Sequence, residues 1–151
     1  MAAKILLADD HAIIRQGLRS LLEKQPDIEV VGEVADGRKA IELARELKPD
    51  IVIMDITMPN LNGIDAARKI VGKSSGTKVI ALSMHSSKRF VTEMLKAGAS
   101  GYILKEALFN ELLEAIRAVL NGEIYLSPRI TGVVVDDYLK LFQSPDREVF
   151  A

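Results

Sequence analysis

Apolar residues recur along this chain with two periods that take turns. Lys4-Ile5-Leu6-Leu7-Ala8 is a run of strand length, and Ile13, Ile14, Leu18, Leu21 and Leu22 follow at helical spacing until Pro26. Ile28, Val30 and Val31 open a second strand that runs to about Val34. Asp36-Gly37 turns the chain, and Ala40, Ile41, Leu43, Ala44 and Leu47 form the next helical face, stopped by Pro49. The third run, Ile51-Val52-Ile53-Met54, suits a strand buried on both faces; it closes on Asp55, and Pro59 blocks its continuation. Asn62-Gly63 leads into a helix carrying Ile64, Ala67, Ile70 and Val71. Thr77 to Ser83 is a fourth strand, and Ser86 or Ser87 is placed to cap a helix with Phe90, Val91, Met94 and Leu95 that ends at Gly98. Gly101-Tyr102-Ile103-Leu104 is a short fifth strand ending at Lys105. Phe109, Leu112, Leu113, Ile116, Val119 and Leu120 make a fifth helix, closed by Asn121-Gly122.

Strict alternation of strand and helix predicts the α/β class, a five-stranded parallel sheet with helices on both faces. Five strands are too few for an eight-stranded barrel, so the sheet is open and doubly wound. The order 2-1-3-4-5 follows from the general rule for such sheets rather than from anything peculiar to this chain. In that order the switch point falls between strands one and three, which end on Asp9-Asp10 and on Asp55.

Composition narrows the classes. A chain of 151 residues with 48% hydrophobic residues can bury a proper core, and no apolar run approaches the roughly 20 residues of a membrane span. Twenty basic and 21 acidic residues nearly cancel, so no overall field draws the chain to nucleic acid or to a membrane. The absence of cysteine excludes disulfides and thiolate metal sites and fits a reducing compartment. Asp9-Asp10 stops the first apolar run before it could serve as a secretory segment. A cytoplasmic protein is the expectation.

Taken singly, an aspartate at a strand end reads as a cap or a solvated turn residue, and Lys105 and Ser83 read as surface groups. His11 and His85 read as loop residues. Joint placement changes this: Asp9, Asp10, Asp55, Ser83 and Lys105 fall at the ends of strands one, three, four and five. Converging carboxylates repel one another unless a hard cation relieves them, and Mg²⁺ binds through one or two carboxylates plus waters and phosphate oxygens. Lys105 supplies a positive charge suited to a phosphoryl oxygen, and Ser83 a hydroxyl donor. Nucleophilic aspartate, divalent metal and ammonium together describe phosphoryl transfer onto Asp55.

Ala8-Asp9-Asp10-His11, Met54-Asp55-Ile56-Thr57-Met58-Pro59-Asn60-Leu61-Asn62-Gly63, Ser83-Met84-His85 and Ala97 to Lys105 resemble, in order, the signature blocks of response-regulator receiver domains. The likeness covers about residues 4 to 121. The wording of the blocks, with Gly122 to Leu126, resembles the NarL/FixJ (LuxR-type) branch of transcriptional regulators. The resemblance implies a flavodoxin-like (CheY-like) fold, a sensor histidine kinase as partner, and Asp55 as phosphoacceptor. It implies Mg²⁺ held by Asp10, Asp55 and the Thr57 backbone carbonyl, with Asp9 acting through water. It also makes Ser83 and Tyr102 a switch pair, the hydroxyl following the phosphoryl group and the ring changing its burial. Glu106 departs from the pattern, standing where many members carry proline.

Beyond the receiver (1–122), residues 123–151 read as a linker helix and the opening of an output domain. Ser127-Pro128 is a helix start, with Ser as N-cap and Pro at the first position. Residues 128 to 142 spread apolar side chains around well over half a helical wheel, which suits self-association as a homodimer or contact with a following domain. Ser144 to Ala151 resembles the start of a helix-turn-helix domain, so DNA would be bound only through a part beyond this chain. Three rivals remain. A haloacid-dehalogenase-type phosphatase would want an acid where Thr57 stands. A flavodoxin-like nucleotide binder would want a phosphate-cradling loop where Asp9-Asp10-His11 stands. A stand-alone receiver in a phosphorelay differs only in its tail.

Overall fold

Side chains on the strands go alternately to two faces, and that alternation builds two cores. The computed structural model describes residues 2–58, 62–73 and 76–143. Strands β1 (Ala3–Ala8), β2 (Ile28–Val34), β3 (Ile51–Asp55), β4 (Lys78–Ser83), β5 (Gly101–Leu104) and β6 (Tyr125–Leu126) form one sheet ordered β2-β1-β3-β4-β5-β6. Every pairing is parallel. Ile5, Leu7, Ile51, Ile53, Ile80, Leu82 and Ile103 meet Leu18 and Leu22 of α1 (Ala12–Glu23) and Leu112, Ile116 and Val119 of α5 (Leu108–Leu120). Leu6, Val52, Met54, Val79, Ala81 and Tyr102 face the other way. They meet α2 (Gly37–Leu47), α3 (Gly63–Lys73), α4 (Lys88–Lys96) and Ile130 of α6 (Pro128–Gln143). Both faces of the sheet are covered, as the continuous apolar runs require.

The expected order holds for strands one to five, and a sixth extends it. After α5, Gly122 turns the chain at φ +84°, and Tyr125 N–H reaches the Ser100 carbonyl at 3.0 Å. β6 is only two residues long, too short to register as an apolar run. Ile13 is a second difference: it is 83% exposed although it continues the apolar pattern of α1. At 100° per residue Ile14, Leu18, Leu21 and Leu22 share one stripe and Ile13 falls outside it. Phe109 is half-exposed too, its ring lying against Gly17, where an added Cβ would stand 2.9 Å from Phe109 Cζ. Leu120 is likewise more exposed than its place in the α5 stripe suggests.

α2 opens as its sequence directs, Asp36 accepting Lys39 N–H at 2.8 Å. Ser87 occupies the N-cap position of α4 without a side-chain cap bond. Lys105–Ala107 forms a short 3₁₀ turn between β5 and α5, and no peptide bond among the described residues is cis. α6 spans the expected residues and lies on α4, with Lys88 and Asp137 paired at 2.6 Å. Ile130 is fully buried, whereas Val135, Tyr138, Leu139, Leu141 and Phe142 are exposed. Pro59 to Leu61 and Ser144 to Ala151, the latter including the expected start of an output domain, lie outside the described residues. No helix among the described residues is long and apolar enough to cross a membrane.

Candidate functional site

Neighbouring parallel strands bring the chemistry together at their carboxyl ends. Ala8 pairs with Met54 and Asp55 with Leu82, so Asp9 and Asp55 leave β1 and β3 side by side. Both carboxylates are only 1% exposed. Gly63 lets the start of α3 press against the end of β3. Its N–H donates to the Ile56 carbonyl at 2.7 Å, and a side chain there would collide with the Asp55 carbonyl oxygen.

Lys105 reaches in from the end of β5. Its ammonium donates to Asp55 Oδ2 at 2.9 Å and stands 3.3 Å from Asp9 Oδ2. The second approach is outside hydrogen-bonding alignment, since Asp9 Oδ2 is buried with no hydrogen-bond partner. The other Asp55 oxygen accepts from Thr57 N–H at 3.1 Å and from the Thr57 hydroxyl at 3.4 Å. Two carboxylates and one ammonium leave a negative excess in a poorly solvated place. Burial pushes the Asp55 carboxyl above its ordinary value, the Asp9 charge adds to the rise, and the bond to Lys105 opposes both.

His11 lies in the β1–α1 loop, as its position in the sequence suggests, and from there it joins this cluster. Its Nδ1 lies 2.7 Å from Asp9 Oδ1, 3.2 Å from Asp10 and 3.6 Å from Asp55. Asp9, Asp10, His11 and Asp55 each bring one ligand atom within 4.8 Å of the others. The signal in the sequence was adjacency: His11 directly follows the aspartate pair at the strand end. Arg15 left no signal; one turn into α1, it donates to the Asp9 carbonyl and to Glu33 at 3.3 Å. The Asp9 oxygen without a hydrogen-bond partner and the dense carboxylate set fit a hard divalent cation.

Ser83 and Tyr102 act on one loop. Ser83 Oγ accepts His85 N–H at 2.8 Å, and the Tyr102 hydroxyl donates to the His85 carbonyl at 2.8 Å. The Tyr102 ring is fully buried, and burial raises its phenol above the ordinary value. His85 itself stacks on Phe90 with ring centroids 4.6 Å apart. Ser83 and Lys105 also line a cavity of about 400 Å³ shared with Ile14, Met84, Leu104, Glu106 and Arg129.

Residues 5–117 match the response regulator receiver domain family. The transcriptional regulatory protein DegU of Brevibacillus brevis is 38% identical over 145 residues, 96% of this chain and 61% of that protein. A LuxR-family two-component response regulator from Aurantimonas sp. SI85-9A1 superposes with a TM-score of 0.86 at 40% identity, covering 92% of this chain and 99% of that one. The isolated receiver domain of RcsB from Salmonella enterica serovar Typhimurium, solved with the phosphomimetic BeF₃⁻, gives a TM-score of 0.81 at 25% identity. The match covers 88% of this chain and 99% of that one. The chain thus spans less than two thirds of the DegU relative's length.

Proposed function

The chain belongs to the response regulator receiver family, and from that premise we propose that Asp55 is its phosphoacceptor, charged by a sensor histidine kinase. The observation that carries the reading is Lys105 at 2.9 Å from Asp55 beside a buried Asp9 oxygen that accepts no hydrogen bond, a site with more negative than positive charge. Asp10, Asp55 and the Thr57 carbonyl would hold Mg²⁺, with Asp9 acting through water; the ion would offset the charge that develops on the phosphoryl oxygens. An Asp55 carboxylate oxygen bonds to phosphorus as the bond from phosphorus to the donor breaks, and the electron pair leaves with the donor. Water later attacks the same phosphorus and returns the carboxylate. Lys105 holds one phosphoryl oxygen, and the Ser83 O–H turns toward another. Such a domain is a switch rather than a conventional enzyme. Drawing Ser83 toward the phosphoryl group changes what it offers His85, and Tyr102, bonded to the same residue, responds.

The receiver comprises residues 1–122, and 123–151 lead into a DNA-binding output domain of a cytoplasmic transcriptional regulator. The exposed apolar side of α6 supports self-association or contact with that domain. Intact-protein mass spectrometry after acetyl phosphate and Mg²⁺ tests the acceptor: wild type gains one phosphoryl group and Asp55→Asn gains none. Equal adduct on both variants overturns the assignment. Light scattering on the same samples reads self-association, and Leu139→Glu should lower it if α6 is the contact.

A further inference from the structure

The first turn of α6 is tied to the backbone beside Lys105, and a side chain makes the tie where a carbonyl ordinarily would. In a parallel ladder one residue directs its N–H and its C=O to two residues of the neighbouring strand. Ser127 N–H donates to the Tyr102 carbonyl at 3.0 Å, so its own carbonyl is due to accept Leu104 N–H. That carbonyl is already engaged by Ile130 N–H at 2.8 Å and Thr131 N–H at 2.9 Å as α6 begins. The Ser127 hydroxyl takes its place. It accepts Leu104 N–H at 3.2 Å and donates to Glu111 Oε1 at 2.8 Å, in a site 2% exposed. The Tyr125 hydroxyl donates to the same Glu111 oxygen at 2.9 Å. The end of β5, the first turn of α5 and the start of α6 share one partly buried network.

Leu104 immediately precedes Lys105, whose ammonium meets Asp55. On the other side of the lysine, Glu106 is paired with Arg129 of α6 at 2.8 Å. The backbone of Lys105 is therefore flanked in both directions by a bond to the opening of α6.

We propose that Ser127, aided by Arg129, is a positioning residue for Lys105, so that seating of α6 and phosphoryl chemistry at Asp55 are one coupled equilibrium. This rests on Asp55 being the phosphoacceptor. The ammonium has to meet a phosphoryl oxygen at hydrogen-bond distance, and a misplacement of about 1 Å forfeits much of what positioning contributes. Coupling of this kind is reciprocal. A helix start that holds the lysine in place is itself held more firmly once the lysine gains a phosphoryl partner.

The test uses the whole chain with Mg²⁺ and beryllofluoride, comparing wild type, Ser127→Ala, Ser127→Thr and Arg129→Ala. Fluorine NMR gives beryllofluoride affinity, and hydrogen exchange gives the protection of α6 amides. Ser127→Ala should weaken beryllofluoride binding on the order of tenfold. Ser127→Thr, which keeps the hydroxyl, should restore it, and Arg129→Ala should weaken it about twofold. Beryllofluoride should slow exchange at residues 131–135 in wild type and leave it unchanged in Ser127→Ala. A folded Ser127→Ala that binds as wild type does and shows the same protection overturns this proposal alone. Should Ser127→Ala not fold, unaltered affinity and exchange in Arg129→Ala overturn it. Wild type that takes up no beryllofluoride overturns the phosphoacceptor reading as well.

Discussion

Two polar clusters, one buried around Asp55 and one partly buried around Glu111, lie at either side of Leu104, and they are built on opposite terms. Around Glu111 the polar groups that meet at the network have partners: the Ser127 and Tyr125 hydroxyls donate, the carboxylate accepts, and Leu104 N–H is received. Around Asp55 the pairing is incomplete: two carboxylates share one ammonium, and one Asp9 oxygen accepts no hydrogen bond. Satisfied polar networks fix a single arrangement, whereas an unsatisfied buried oxygen costs stability and is retained where something must bind. A hydroxyl and a carboxylate hold the linker helix, while the charge imbalance is concentrated where a cation and a phosphoryl group are proposed to arrive.

The contrast can be broken most strongly at Lys105. Lys105→Met leaves two nearly inaccessible carboxylates without a counter-charge and should cost about 3–5 kcal/mol of stability in the absence of divalent cation. Urea unfolding in chelator checks it, and added Mg²⁺ should recover part of the loss. A cost below about 1 kcal/mol would mean that the carboxylates answer by taking up a proton. On the other side, Tyr125→Phe removes one of the two donors to Glu111 while the Ser127 hydroxyl remains. A loss of about 1 kcal/mol is expected, independent of Mg²⁺. If that loss varied with Mg²⁺, the two clusters would not be separate in kind.

The smallest effect has the opposite sign. Asp55 is raised by burial above its ordinary value of 3.8. The stability it contributes is therefore fully present below that value and is lost as pH rises through the raised one. Without divalent cation, wild type should weaken over that interval. Asp55→Asn should flatten the slope and stand slightly above wild type at neutral pH, and Mg²⁺ should bring wild type back up. Urea midpoints measured from pH 4 upward decide it; equal slopes in both variants would place the titration elsewhere.

How much of this could be read in advance depended on which residues announce themselves. Asp9, Asp55 and Lys105 were placed correctly because each ends an apolar strand, and parallel strands bring their ends to one edge. Lys105 was thereby assigned to Asp55 without any local signal linking the two. Period failed where it fixes an angle but not the limits of the surface beneath, as at Phe109. It failed again at β6, where two residues are too few to show a pattern. Ser127 was read as a helix cap. It does occupy that position, yet its hydroxyl serves Leu104 and Glu111, because the ladder it terminates had a donor left over. His11 sat beside the recognised aspartates, but histidine beside a turn is too common to single out. Ser83 and Tyr102 were paired by resemblance; that both bond to His85 is visible only in the folded chain.

The ends of the sheet have a consequence for behaviour at high concentration. An outer strand offers a row of unpaired peptide groups that a second chain could extend into an aggregate. Here neither border is a good template. β6 presents only two residues, and on β2 the pairing steps from Val30, opposite Ile5, to Gly32, opposite Leu6. Val31 is left without a partner on β1, a bulge that bends the strand and spoils its match to a flat neighbour. The most strongly apolar strands, β3 and β4, lie between other strands and under helices on both sides. Association of the folded form would therefore run through the exposed apolar side of α6 rather than through edge-to-edge growth of the sheet.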